Sequence, residues 1–177
     1  MTALTELLHF DRQTQALGQV SGRLGWDQET MMPSGSSAQR GEEMAALEGV
    51  LHGRRSDPRV GDWLAACEGD AVDRVTQAQL RQIKTAFERA VKVPGDLAEA
   101  IASTTSMAQG KWAAARAADD FEAFASILQE ILALKIEEGQ ALAAGGDVYD
   151  AMLADYEPGT TASELDRMFG ALRPGLV

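Results

Sequence analysis

Reactive and cross-linking side chains are scarce in this sequence. A single cysteine, Cys67, rules out an intramolecular disulfide, so its expected role is a small buried hydrophobe, compatible with a reducing compartment. Histidine occurs only at His9 and His52, and neither a His-Glu-x-x-His zinc motif nor a Cys-x-x-Cys pair is present. There is no Gly-x-Ser-x-Gly nucleophile elbow and no phosphate-binding glycine loop. Long apolar runs are missing too. The longest stretch without a charge, residues 100–110, falls far short of the roughly 20 residues that a membrane helix needs. The N-terminus, Met1 to Glu6, has neither the basic region nor the apolar core of a secretory signal, which sets the expectation of a cytoplasmic protein. Positive charge is sparse in the second half. Residues 1–92 carry a net charge of −2 and residues 93–177 a net of −9, a balance that repels phosphate backbones and argues against nucleic acid as a partner. No window has the alternation or β-branched density of a strand.

What is present is helical periodicity in a chain of 177 residues, 45% hydrophobic and 24% charged, the composition of one globular domain. Leu4, Leu7, Leu8, Leu17, Val20 and Leu24 return to one face of a first helix, which runs to about Thr30 and stops before Pro33. Gly18, Gly22 and Gly25 within it suggest close approach of a neighbouring helix. Ser36 or Ser37 can cap a second helix with Met44, Leu47 and Leu51 inside, ending near His52-Gly53. Asp57-Pro58 opens a short third helix carrying Val60, Trp63, Leu64 and Cys67. A fourth, from Asp70, holds Val72, Val75, Leu80, Ile83, Phe87 and Val91, with Glu88 and Lys92 spaced as an i,i+4 pair. Pro94 starts a fifth, whose Ser, Thr and Ala content predicts tight packing on another helix. Asp119-Asp120 caps a sixth, the most apolar, whose stripe of Phe121, Phe124, Ile127, Leu128, Ile131, Leu132 and Leu134 predicts a central position. After Gly145-Gly146 come a short segment at 148–153 and a capping box, Thr161 to Glu164, before a last helix with Leu165, Met168, Phe169 and Leu172. The fold class is all-α, an array of about eight helices.

Catalytic groups do not assemble from spacing. His9, His52 and Cys67 could meet at a metal only by tertiary coincidence. The adjacent carboxylates Glu42-Glu43, Asp119-Asp120 and Glu137-Glu138 diverge by about 100° on a helix, so they read as solvated faces and caps. Arg54, Arg55 and Arg59 read as a solvated turn with charge at a helix C-terminus. Met31 and Met32 read as core filling, and Trp26 as a core or interface anchor. Asp27 and Glu29, two apart, face different sides of their helix and are assigned to structure.

The stretch Gly25-Trp26-Asp27-Gln28-Glu29-Thr30-Met31-Met32-Pro33 closely resembles the N-terminal region of the thermostable (Taq-type) zinc carboxypeptidases. Further segments agree in order: Val93-Pro94; Trp112 and Ala115-Arg116-Ala117; Asp120-Phe121; Phe124-Ala125; Leu134-Lys135. Tyr149-Asp150-Ala151-Met152-Leu153, Asp155-Tyr156-Glu157-Pro158-Gly159, Glu164-Leu165-Asp166 and Leu172-Arg173-Pro174 complete a resemblance over nearly the whole chain. Ser34 stands where the family often has a second Pro. The resemblance implies an all-helical, typically homodimeric metallopeptidase that removes amino acids one at a time from peptide C-termini. Its zinc would be held by a His-Glu-x-x-His motif and a downstream Glu. That motif is not within residues 1–177, so no catalytic, cofactor-binding or metal residue is assigned here. The expectation is a single N-terminal helical portion of a longer carboxypeptidase, cut before its zinc region, inactive alone and forming a wall or cover of the substrate groove. The alternative is a naturally short, non-catalytic helical module that binds a peptide or protein.

Overall fold

The computed structural model describes residues 2–69 and 73–176. Among the described residues there are eight α-helices: α1 Ala3–Thr30, α2 Ser37–Arg55, α3 Pro58–Ala66, α4 Arg74–Ala90, α5 Gly95–Ala118, α6 Phe121–Ala143, α7 Val148–Leu153 and α8 Ala162–Leu172. No strand occurs among the described residues. Residues 1–134 and 135–177 form two compact units.

Caps set most helix ends. Thr2 accepts the amide N–H of Thr5 at the start of α1, and Asp57, followed by Pro58, accepts that of Arg59 at α3. Asp73 accepts from Val75 and Thr76, so α4 begins at Arg74; Asp70 and Val72, expected at its start, lie outside the described residues. Ser36 stands at the N-cap of α2 without a side-chain bond, and Ser37 donates back to the Ser34 carbonyl. α2 also runs further than predicted, to Arg55, because Gly53 is tolerated inside it. The Asp120 carboxylate accepts the Ala123 N–H at the start of α6. Thr161 and Glu164 form the reciprocal capping box of α8.

The first unit is organised around α2 and α5. A Cβ added at Gly41 would stand 2.9 Å from Met107 Cγ and 3.4 Å from the Ser103 carbonyl oxygen, and one at Gly110 would stand 2.9 Å from Ser37 Oγ. One at Gly49 would overlap the Glu99 carboxylate, and one at Gly95 would lie 3.4 Å from the His52 ring. Rising numbers on α2 thus meet falling numbers on α5, so the pair is antiparallel and its small residues let the backbones approach. This is the tight packing that the Ser, Thr and Ala content of α5 predicted; Ser106, Ala108 and Ala115 are buried. The glycines of α1 do not share that role. Nothing lies within 4 Å of a Cβ at Gly18, Gly22 or Gly25, so the expected close approach is absent there.

A second core lies where α1, α3 and α4 meet, with Leu7, Val60 and Ile83 buried and Phe10, Trp63 and Phe87 packed around them. Cys67 is buried, as expected. The apolar α6 is not central. Of its stripe only Ile127 is fully buried, whereas Phe121 is 68% exposed and Leu132 53%. In the second unit, Val148 and Met152 of α7 close on Gly139 of α6.

Candidate functional site

The C-terminal turns of α1, which carry the Trp26 to Met32 stretch, are fixed by two polar locks. The first is Arg40 on α2, a buried guanidinium. Its Nη2 donates to Asp27 Oδ2 at 2.6 Å, its Nε to Glu43 Oε2 at 2.9 Å, and its Nη1 to the Leu24 carbonyl. The hydrogen bond to Asp27, with Glu43 behind it, raises the Arg40 pKa above its ordinary value despite burial. The group is a permanent cation with all three nitrogens engaged, suited to holding backbone in place and unsuited to moving protons. The second lock joins α1 to α5: Gln28 Nε2 donates to the Ser106 carbonyl at 2.6 Å, and Ser106 Oγ donates to Gln28 Oε1 at 2.9 Å.

Between these locks the helix ends as predicted, with the Met31 N–H bonded to the Asp27 carbonyl. A cavity of about 180 Å³ opens beside Asp27, Met31, Met32, Gln39, Arg40 and Glu43. Asp27 faces α2 and pairs with Arg40, while Glu29 is exposed on another side. Met31 is 71% exposed and fills no core, which corrects the expectation for it, and Trp26, at 64%, is not a core residue either. Both side chains stand out from a rigidly anchored helix end.

The basic cluster meets its prediction in part. Arg54 Nε donates to Thr14 Oγ1 and Nη2 to the Phe10 carbonyl, each at 3.0 Å, and its guanidinium sits 3.9 Å over the Phe10 ring. Arg55 pairs with Glu48, whose pKa burial pushes up against the pull of Arg55 and His52. Arg59 binds Asp57 and lowers its pKa. Arg54 and Arg55 place charge at the C-terminus of α2, as expected; Arg54 in addition ties α2 to α1, Arg55 is held on its own helix by Glu48, and Arg59 is solvent-exposed beside the Asp57 cap.

Of the possible metal ligands, His52 Nε2 faces the carbonyls of Val93 at 2.7 Å and Ala90 at 3.1 Å, so that nitrogen carries its proton and donates. His9 is exposed on α1 next to Gln13, and Cys67 is buried at the end of α3. Among the described residues, no three His, Cys, Asp or Glu side chains gather around a common point that could hold a metal ion. These residues do not fit a catalytic zinc. Of the carboxylate pairs, Glu43 is engaged by Arg40 and Gln39, Asp120 caps α6, and Glu138 pairs with Lys135.

Arg40 was not singled out from the sequence, although a signal existed. It lies four residues before Met44 on the same face as Leu47 and Leu51, and a charged residue on an apolar stripe requires a buried partner.

Thermostable carboxypeptidase 1 of Thermus thermophilus is 37% identical over 187 residues, covering 98% of this chain and 37% of that protein. Thermostable carboxypeptidase 1 of Pyrococcus furiosus is 26% identical, covering 98% and 35%. Among solved structures, Trypanosoma cruzi metallocarboxypeptidase 1 superposes with a TM-score of 0.74 at 30% identity, covering 97% of this chain and 35% of that one. The BsuCP crystal structure shares the fold with a TM-score of 0.90 at 21% identity, covering 98% and 35%. The chain therefore spans about a third of the length of the relatives it matches. With residues 6–177 matching the family model described as carboxypeptidase Taq (M32) metallopeptidase, the chain belongs to that family.

Proposed function

We propose that residues 1–177 act as the N-terminal helical portion of a zinc-dependent carboxypeptidase that releases single amino acids from peptide C-termini, forming part of a wall or cover of its substrate groove. The observation that carries this reading is the coverage: a match over nearly all of this chain corresponds to only about a third of each relative. The name metallopeptidase supports a metal-assisted hydrolysis in the whole protein, and the ligands for that metal would come from outside residues 1–177. By themselves these residues bind no catalytic zinc and cleave nothing. Their contribution is positional: the Arg40 and Gln28–Ser106 locks hold the end of α1 as a stiff edge.

The partner is a peptide substrate, reached through the complete enzyme. Homo-oligomerisation is supported by the exposed apolar side chains, and the acidic charge favours neither nucleic acid nor anionic lipid. No helix among the described residues is long and apolar enough to cross a membrane, and we place the enzyme in the cytoplasm. The reading frame after codon 177 tests the proposal. A continuation encoding His-Glu-x-x-His, whose product binds zinc and releases C-terminal residues, is expected; a stop codon there would favour the non-catalytic binding module.

A further inference from the structure

The turn from α5 into α6 carries a second concavity that the metallopeptidase reading does not use. Asp119 takes the left-handed conformation at φ 54°, and α6 starts two residues later. The turn borders an open concavity of about 320 Å³ between Trp112 and Arg116 of α5, Asp119 and Asp120 of the turn, and Phe121 and Phe124 of α6. The aromatic side chains are not consumed by the core, since Trp112 is 48% exposed and Phe121 68%.

The charges around this space have one dominant sign. Asp119 and Asp120 supply two carboxylates; Asp120 spends one oxygen on the Ala123 N–H and keeps the other. The C-terminus of α5 and the N-terminus of α6 meet at this turn, so their partial charges of opposite sign offset each other and the two carboxylates set the balance. Arg116 is the cation on the same rim, so an incoming positive group meets one like charge and two opposite ones. Aromatic faces attract cations through the negative face of the ring quadrupole. They offer no oxygen cage for a hard metal ion.

We propose that this pocket binds the guanidinium of an arginine side chain presented by a peptide, with the planar cation stacked on the rings and paired with Asp119. Arginine suits the site better than lysine because a guanidinium stacks flat on aromatic rings while keeping in-plane donors for a carboxylate.

Titration of the 1–177 chain with N-acetyl-arginine methylamide, followed through the Trp112 indole resonance, tests it. The expected result is a saturable shift in the millimolar range, severalfold weaker for the uncharged citrulline analogue and diminished by added salt. Asp119→Asn should weaken binding severalfold, and Arg116→Gln should strengthen it, with helix content by circular dichroism unchanged in both. A shift that does not saturate, an equal response to citrulline, or weaker binding in Arg116→Gln would overturn the assignment.

Discussion

At the scale of single residues, Arg40 decides the most. Its guanidinium is 10% exposed, whereas Asp27 and Glu43 keep about 40% of their side-chain surface in water. Removing Arg40 takes away a second donor from the Leu24 carbonyl, which keeps its helical bond within α1, and leaves two partly solvated carboxylates without their cation. Arg40→Met should therefore cost about 2–3 kcal/mol, below the full penalty of a wholly buried pair. Urea denaturation checks this; a change under about 0.5 kcal/mol would show that the lock holds nothing.

Asp57 gives a pH signature. Arg59, through its side chain and then its backbone N–H, lowers the carboxyl below its ordinary value of 3.8. The unfolded chain then binds that proton more readily. The stability contributed is complete above that ordinary value and is lost as pH falls through the lower folded one. Asp57→Asn keeps the cap, so it should change stability at pH 7 by less than about 1 kcal/mol while flattening the acid limb. An acid limb as steep as that of the unmodified protein would contradict this.

At the scale of elements, helix positions were legible because caps and breakers are local. Asp57-Pro58, Asp120 and the Thr161–Glu164 box each act within a few residues, and each stands where the sequence places it. Helix partners were not legible from periodicity. The stripe of α6 announces an apolar face without saying what covers it, and Phe121 and Leu132 remain exposed. Glycine misled in the same way: Gly41 and Gly110 line the α2/α5 contact, while Gly18, Gly22 and Gly25 face open space. The two classes should separate on substitution. Gly41→Leu should cost about 3 kcal/mol by forcing α2 from α5, whereas Gly18→Ala should stabilise by up to about 1 kcal/mol. Thermal unfolding distinguishes them, and similar shifts for both would refute the α2/α5 seam.

At the scale of the whole molecule, the locks, the seam and the exposed faces describe a scaffold. Family membership was legible because ordered segments from Gly25 to Pro174 agree with it, a signal that composition and periodicity cannot carry. Catalytic roles were not, since His52 is spent on two backbone carbonyls and the carboxylates on caps and ion pairs. Apolar side chains such as Trp26, Met31, Phe169 and Leu172 stand more than half exposed. Isolated residues 1–177 should therefore self-associate with rising concentration. Sedimentation showing a strict monomer throughout would argue against these faces seeking a cover.

The most direct test of the scaffold reading is to assay release of C-terminal amino acids by the 177-residue chain with added zinc or cobalt, with metal content measured on the same sample. The account predicts no release and no stoichiometric metal. Saturable release together with one tightly held metal per chain would contradict it and place a catalytic centre within these residues.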